Sequence, residues 1–476
     1  MRAIAPNRKD APRSQSRRIP RLGIAALSAQ VLPWLYPPRG PCYNPHRTHF
    51  RFESRYFLSK TALPLLASFE NQDKVFASAF SVLRDAIADR AFPAASVAVT
   101  HQDKLVALKS FGHLIYENSA ADDLALASLA KGGDSHLTPT TLFDLASLTK
   151  VVATTTFAAI LHERGLLDLD ALTVRVVPEF VADSAGQADV RRRVTFRMLL
   201  AHSSGLPAYE RLFLRTHSRD ELLHAAFTTP LTAHPGTRAE YSDVGFIILC
   251  AALERMAEES IDIFCQREIF GPLTMTHTTF NPPPEIRPQI PPTADERPPQ
   301  ERAADTAEDL VRPGLQSGHA EQSSPEAPAR SRFRKRIIQG EVQDENAFIM
   351  GGVAGHAGLF STAEDLALFA HTMLHGGRPL LRRESIPLFT RRESSPTGTT
   401  RALGWDTPSS SSQSGKYFSP SSYGHLGYTG TSLWIDPDRE LSVTLLTNRT
   451  WPDCSNWAIK QIRPRFHDAV VETLFA

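Results

Sequence analysis

Ser147 and Lys150 are the residues of this sequence whose types and spacing best fit covalent catalysis. The strand-like run Thr141–Ala146 precedes Ser147, and apolar residues at helical spacing predict a helix from Val151 to Arg164. A serine at a strand-to-helix junction lies near the free N–H groups of the helix start, where developing negative charge is favoured. The lysine falls one turn later on the same helix face, so its nitrogen can activate the hydroxyl as a nucleophile.

The same spacing occurs a second time, from Ser128 to Lys131. Two glycines and an aspartate follow at once, which is typical of a loop, where nothing fixes both side chains on one face. A helix-capping serine beside a solvated lysine is the alternative interpretation of either pair. Ser147 therefore needs partners elsewhere in the chain.

Two later clusters supply candidate partners. The first, Tyr241-Ser242-Asp243, follows Pro235-Gly236 and leads into a predicted helix, Val244–Ala257. The second, residues 424–431, reads Gly-His-Leu-Gly-Tyr-Thr-Gly-Thr and opens a C-terminal strand. Together with Ser147 and Lys150, these clusters resemble the three motifs of the serine β-lactamase and penicillin-binding-protein superfamily. The resemblance is closest to the branch that contains class C β-lactamases, D,D-carboxypeptidases and related esterases.

Supporting phrases occur in the order typical of that superfamily. Residues 199–207 read LLAHSSGLP and resemble the phrase LLTHTSGLP of the superfamily, and residues 235–243 resemble its PG…YSN. The resemblance extends from about Phe92 to Asn448. Several phrases in the right order are far more specific than any one of them.

The resemblance implies a role for each matching residue. Ser147 is the nucleophile, Lys150 its immediate partner and Tyr241 the general base. A free phenol titrates near about 10, so this role needs nearby positive charge, which Lys150 would supply. The backbone N–H groups of Ser147 and Tyr428 form the oxyanion hole. An acyl-enzyme would form and then be hydrolysed by water, without a cofactor.

The sequence departs from the superfamily pattern at two motifs. Asp243 stands where much of the superfamily has asparagine, and a carboxylate can only accept hydrogen bonds. His425-Leu426-Gly427 replaces Lys-Thr-Gly or His-Thr-Gly, and histidine is mostly neutral at neutral pH. Both changes weaken recognition of a substrate carboxylate. We therefore expect an esterase or a D,D-peptidase-like enzyme without strong β-lactamase activity.

Substrate contacts and alternative interpretations follow from the same motifs. The predicted substrate-binding residues are Asp243, His425, Gly427 and Thr429. A second register of the third motif, Tyr428-Thr429-Gly430, would move the oxyanion donor to Thr431. Taken singly, Tyr241 reads as a packing residue, Asp243 as a helix cap, and His425, His202 and His356 as structural. A penicillin-binding enzyme or β-lactamase, or an inactive relative that binds cell-wall peptide or a partner, remains the alternative function.

Composition and charge give no sign of a nucleic-acid-binding or membrane-binding protein. The 476 residues are 42% hydrophobic with a net charge of +1, which gives no general attraction to nucleic acid. The four cysteines are scattered, and no C-x-x-C or H-E-x-x-H spacing predicts a metal site. No apolar run is long enough to span a bilayer. We expect a small-molecule or peptide substrate, while the oligomeric state is open.

The strands and helices predicted around these residues indicate an α/β fold of the α+β type. An antiparallel sheet assembled from both chain ends is flanked by helices, with an inserted mainly helical region. The active site would lie in the cleft between them. The predicted segments are a basic leader (1–68), disordered or signal-like; the sheet domain (69–165 and 336–476); the helical region (166–280); and a Pro-rich disordered insertion (281–335). The leader favours a periplasmic or extracytoplasmic location, with a cytoplasmic one open.

Overall fold

Both ends of the chain contribute strands to one sheet. The computed structural model describes residues 64–116, 137–182, 186–298 and 333–476. In chain order, the strands in these ranges are β1 (Leu66–Ala67), β2 (Ala94–His101), β3 (Lys104–Gly112), β4 (Phe143–Asp144), β5 (Thr279–Phe280), β6 (Ala294–Asp295), β7 (Ile337–Ile338), β8 (Leu359–Ser361), β9 (Tyr423–Leu426), β10 (Ser432–Asp436) and β11 (Leu441–Thr447).

The main sheet has six strands in the order β1-β3-β2-β11-β10-β9. Its neighbouring strands are antiparallel, except for β1 and β3, which are parallel. Strands β4, β8 and β5 form a small second sheet, and β6 pairs with β7. The predicted fold class, an antiparallel sheet drawn from both chain ends, is confirmed.

Helices cover both faces of the main sheet and form the region between β4 and β5. The helices of at least five residues are Ala77–Ala88, Lys150–Thr155 (a π-helix), Thr156–Glu163, Phe196–Leu200, Arg219–Thr228, Asp243–Ala257, Ile261–Cys265, Gln266–Phe270 (a π-helix), Glu345–Ile349, Ala363–Leu374, Ser385–Thr390 and Ile459–Phe475.

The hydrophobic core has a layer on each side of the main sheet. Alternating side chains of β2 separate the layers: Val97 and Val99 pack with helices Ala77–Ala88 and Ile459–Phe475, whereas Ala98 packs on the opposite side with helix Ala363–Leu374. Full burial of a phenylalanine such as Phe80 contributes about 1.5–3 kcal/mol. Residues 64–298 and 333–476, with their gaps, fall in one compact unit.

Several element boundaries differ from those predicted. The predicted helix Val151–Arg164 begins instead as the π-helix Lys150–Thr155. Asp243 is not the cap of the following helix, because Ser242 accepts the hydrogen bond from the Gly245 N–H and Asp243 is the first helical residue.

The ends of the Pro-rich insertion are ordered, contrary to the predicted disorder. Strand β6 pairs with β7, and the buried carboxylate of Glu296 lies 2.7 Å from the guanidinium of Arg334. Tertiary pairing across the insertion therefore offsets the ordering entropy that its composition alone does not. The middle of the insertion, the leader up to residue 63 and the second Ser-x-x-Lys pair lie outside the described residues.

Among the described residues, none of the helices combines the length and the apolar content that crossing a bilayer requires.

Candidate active site

Ser147 lies on a strained turn between β4 and the π-helix. It is the middle residue of the 3₁₀-helix Ala146–Leu148, and Ala146 has a φ of 46°, in the left-handed region that is costly for alanine. A carboxylate oxygen of Asp144 accepts a hydrogen bond from the Ala146 N–H at 2.8 Å and so holds the turn. Asp144 is buried, and burial raises its pKa to about 6.

The amine of Lys150 is held by three groups within a fully buried environment. Its Nζ donates to Ser147 Oγ at 3.1 Å and to the carbonyl oxygen of His356 at 2.8 Å, and it lies 2.7 Å from Asp243 Oδ1. The imidazole of His356 is itself fixed by Asp344, whose carboxylate lies 2.8 Å from Nε2. The predicted structural role of His356 thus includes positioning the Lys150 amine through its carbonyl group.

Lys150 carries its proton in this arrangement. Burial lowers the pKa of Lys150, but the nearby Asp243 carboxylate and Tyr241 raise it by more, so the net shift is upward. A charged ammonium with three partners in a buried site avoids the penalty of an unpaired buried charge.

Tyr241 completes the contacts around the nucleophile. Its hydroxyl donates to Ser147 Oγ at 2.7 Å, and its ring packs against that of His202 with centroids 4.7 Å apart. Burial raises the pKa of Tyr241, and the opposing effect of Lys150 is too small to reverse this because Asp243 also raises it. The resting enzyme therefore holds a neutral phenol beside Ser147, and proton transfer must precede or accompany attack.

His425 lies on β9, at the edge of the main sheet. Its Nδ1 lies 2.8 Å from the Leu426 carbonyl oxygen, which can only accept, so Nδ1 carries the proton and Nε2 carries the lone pair. Nε2 is buried without a hydrogen-bond partner. Burial, Lys150 and Arg401 lower the pKa of His425 well below its usual range, so the ring is neutral. The cluster 424–431 was expected to open a C-terminal strand; instead, His425 lies on β9 and the loop after it leads into β10.

The loop after β9 is tied to the turn that carries Ser147. Thr429 Oγ1 donates to the Asp144 carbonyl oxygen at 2.7 Å, and Thr431 Oγ1 donates to that of Leu145 at 3.0 Å. Within the described part of the chain, the N–H of Tyr428 donates no hydrogen bond. A free N–H on an anchored loop is what an oxyanion donor requires.

The hydroxyl of Thr429 and the N–H of Gly427 are both used within the chain. Thr429 is fully buried and its hydroxyl is used within the chain. The Gly427 N–H donates to the Thr431 carbonyl oxygen, and a Cβ at Gly427 would lie 2.5 Å from the Leu145 carbonyl oxygen. These contacts hold the loop close to the nucleophile turn, and substrate binding by Gly427 and Thr429 stays a prediction.

The sequence did not predict a role at the site for two residues beside Tyr241: His202, which reads as structural, and Arg401. His202 Nδ1 accepts the Ser242 N–H at 3.0 Å, so its Nε2 carries a proton, and this buried atom has no partner. The guanidinium of Arg401 lies 5.5 Å from the centre of the Tyr241 ring. The phrase LLAHSSGLP contains a signal for His202, whereas no motif marks Arg401.

Arg401 is only loosely held by its carboxylate neighbour. Its Nη1 lies 3.5 Å from Asp406 Oδ2, and its side chain is 22% exposed. A guanidinium with a long ion pair and access to solvent can exchange that partner for a carboxylate of a ligand.

Comparisons with known proteins identify related sequences that match most of the chain. The family model described as Beta-lactamase matches residues 79–457. The chain is 30% identical over 374 residues to an N-acetylmuramyl-L-alanine amidase of Bacillus subtilis (strain 168), covering 75% of this chain and 77% of the relative. It is 33% identical over 326 residues to a putative D-alanyl-D-alanine carboxypeptidase of Escherichia coli (strain K12), covering 65% and 69%.

Among solved structures, the fold is similar to that of EstCE1, described as a hydrolase with promiscuous acyltransferase activity. The TM-score is 0.62 at 19% sequence identity, with 84% of this chain and 99% of EstCE1 covered. At this identity the likeness is one of fold.

Proposed function

Because this chain belongs to the Beta-lactamase family, whose members are serine hydrolases, we propose that it hydrolyses an amide or ester bond through an acyl-Ser147 intermediate. One observation carries the proposal. Ser147 Oγ lies 2.7 Å from the Tyr241 hydroxyl and 3.1 Å from Lys150 Nζ, so a nucleophile and two proton-carrying groups converge within hydrogen-bond distance.

The proposed reaction begins with attack of Ser147 Oγ on the substrate carbonyl carbon. In the reactive form the Tyr241–Lys150 pair has lost one proton to solvent, so it can take the seryl proton as the new C–O bond forms. The N–H groups of Ser147 and Tyr428 stabilise the negative charge that develops on the carbonyl oxygen. The leaving amine or alcohol takes a proton from Tyr241, and the acyl-Ser147 ester remains. Water then attacks this ester and gives one proton to the same pair, which passes a proton to Ser147 Oγ as the acid product leaves.

We infer an amide next to an alanine residue of a cell-wall fragment as the substrate class. The names of both relatives refer to such amides: an N-acetylmuramyl-L-alanine amidase and a putative D-alanyl-D-alanine carboxypeptidase. The neutral His425 cannot attract a peptide carboxylate. We therefore assign the binding of that carboxylate to Arg401.

We propose that the substrate lies between two parts of the chain. In the predicted division of the chain, Ser147, Lys150 and His425 fall in the sheet domain (69–165 and 336–476), whereas Tyr241 and Asp243 fall in the helical region (166–280). Ligand sites commonly form where two such parts meet.

Hydrolysis assays with matched serine variants test the proposal. The substrates are p-nitrophenyl acetate and butyrate, an N-acetylmuramyl-L-alanine peptide and a peptide ending in D-Ala-D-Ala. Ser147→Ala should lower the rate by about 10⁴-fold or more. Ser128→Ala, the control from the second Ser-x-x-Lys pair, should behave as the unaltered protein. Mass spectrometry should find the acyl group on the peptide that contains Ser147.

The outcomes separate the alternatives. Equal rates in all three proteins would overturn the assignment of Ser147 and favour a binding function. Ester hydrolysis without amide hydrolysis would keep the acyl-Ser147 mechanism and reject the substrate class. Covalent labelling by a penicillin would identify a penicillin-binding enzyme.

A further inference from the structure

Two histidines and an aspartate meet at the far end of the main sheet from Ser147. Asp103 lies in the turn between β2 and β3, and His371 and His375 lie at the end of helix Ala363–Leu374. One ring nitrogen of each histidine and one carboxylate oxygen of Asp103 all lie within 4.8 Å of one another. We refer to these three residues as the His–His–Asp cluster.

The local structure explains how the cluster forms. The two histidines are four positions apart, so they share one helix face, and their ring centroids are 4.4 Å apart. His375 Nε2 lies 2.9 Å from Asp103 Oδ1. Gln102 and Asp103 have φ values of 49° and 63°, which gives the tight hairpin turn that brings the carboxylate to the helix end.

A second observation concerns His371 alone. The residue is 2% exposed, and its Nε2 is buried without a hydrogen-bond partner. Buried polar atoms are normally satisfied, so an unpaired ring nitrogen calls for a ligand.

We propose that the His–His–Asp cluster binds one divalent transition-metal ion, and that zinc is the ion it fits best. Two imidazole nitrogens and one carboxylate oxygen are ligands that zinc accepts in a tetrahedral site, with water in the fourth position. Such ligand atoms lie about 3.3 Å apart around the ion, so the observed separations require only small side-chain rotations. The sequence analysis predicted no metal site, and it overlooked the i, i+4 histidine pair.

The site lies far from Ser147, so a bound ion would link structural elements and take no part in hydrolysis. Ala95 at the start of β2 pairs with Thr447, whose hydroxyl donates to Thr429 in the loop beside Ser147. Asp103 follows the other end of the same strand, about 23 Å away along an eight-residue strand. A bound ion would join the β2–β3 hairpin to the helix that packs beneath the sheet. Binding should therefore stabilise the folded state.

Zinc titration of untagged, full-length protein tests the site. Protein stripped with a chelator is dialysed against zinc chloride, and the bound metal is counted by elemental analysis. Other histidines and cysteines of the chain can also bind zinc, so the readout is a difference between variants. The unaltered protein should bind one equivalent more than His375→Ala, and Asp103→Asn should weaken that equivalent by at least about tenfold.

Control variants and two further measurements show whether the extra zinc is bound at this site. His217→Ala removes an exposed histidine elsewhere, and Cys454→Ser removes a partly exposed thiol, and both should retain the extra equivalent. Zinc should raise the melting temperature of the unaltered protein and not that of His375→Ala. Equal zinc binding and equal melting shifts in the unaltered protein, His375→Ala and Asp103→Asn would overturn the proposal. Unchanged p-nitrophenyl acetate hydrolysis in the variants verifies that they are folded.

Discussion

The ammonium of Lys150 lies 2.7 Å from a carboxylate oxygen of Asp243, a residue that stands where much of the superfamily carries asparagine. The Lys150 side chain is fully buried and that of Asp243 is 17% exposed, so the pair interacts in a poorly screened environment. The carboxylate compensates the charge that would otherwise lower the pKa of Tyr241. Because of this pair, the protonation of Lys150 and Tyr241 at a given pH differs from that expected with asparagine at position 243.

Replacing Asp243 by asparagine should move the pH profile of hydrolysis to lower pH. In the unaltered enzyme the raised pKa values of Lys150 and Tyr241 require that kcat/KM increase as the pH rises from neutral into the alkaline range. Removing the carboxylate lowers both pKa values, so the rise should occur about one pH unit earlier or more. Profiles from pH 6 to 10 measure this shift.

Glu240→Gln is the control for that experiment. It removes a carboxylate three positions away that has no contact with Lys150 among the described residues, and its profile should match that of the unaltered enzyme. Identical profiles for Asp243→Asn and Glu240→Gln would refute the electrostatic account.

Replacing Lys150 by methionine should lower activity and stability together. The loss of the proton-carrying partner is expected to reduce kcat by about 10²–10⁴-fold. Asp243 is left without its cation, at a cost of about 2–3 kcal/mol, below the ~3–5 kcal/mol of a fully buried pair because Asp243 is partly exposed. Urea unfolding gives the stability change.

The double variant Lys150→Met/Asp243→Asn separates the two effects. It should regain most of the lost stability, since no unpaired charge remains, but none of the activity. Recovery of hydrolysis in the double variant would show that Lys150 is not required for catalysis.

Arg401→Ala should impair the hydrolysis of peptides that end in a carboxylate. A hydrogen-bonded charge pair contributes about 1.5–3 kcal/mol, so kcat/KM for such a peptide should fall by roughly 10- to 150-fold. p-Nitrophenyl acetate carries no carboxylate, and its hydrolysis should change by less than about threefold. The exposed Arg391 provides the matched control, Arg391→Ala. An equal loss on both substrates would assign Arg401 to the support of Tyr241.

The catalytic motifs could be predicted from the sequence more fully than the residues that surround them. Ser147 and Lys150 are close in sequence, so helical geometry alone predicts that their side chains meet. The roles of Ser242 and Asp243 could not be separated in this way, because both residue types cap helices and only backbone geometry shows which does.

Contacts between distant segments lie beyond sequence patterns. Arg401 lies near Tyr241 although the two are 160 positions apart in the sequence, and Glu296 pairs with Arg334 across the Pro-rich insertion. Composition predicts the entropy cost of ordering such segments but not the partner that offsets it. Asp103 and the histidine pair meet for the same reason, through the packing of a helix beneath the sheet.

The loop after β9 gives the last prediction, which separates a structural hydroxyl from one that binds substrate. Thr429→Val keeps the shape of the side chain and removes the hydrogen bond to the Asp144 carbonyl oxygen. That buried acceptor loses its partner, at a cost of about 1–3 kcal/mol, and the Tyr428 N–H loses its fixed position beside Ser147.

We expect kcat of Thr429→Val to fall by about 10- to 100-fold, since the oxyanion donor acts chiefly in the transition state, while KM stays close to its original value. Thr429→Ser retains the hydroxyl and should retain most of the activity. Steady-state kinetics with an uncharged ester give both constants. A rise in KM at unchanged kcat would instead place the hydroxyl in contact with substrate, which its complete burial and its bond to Asp144 argue against.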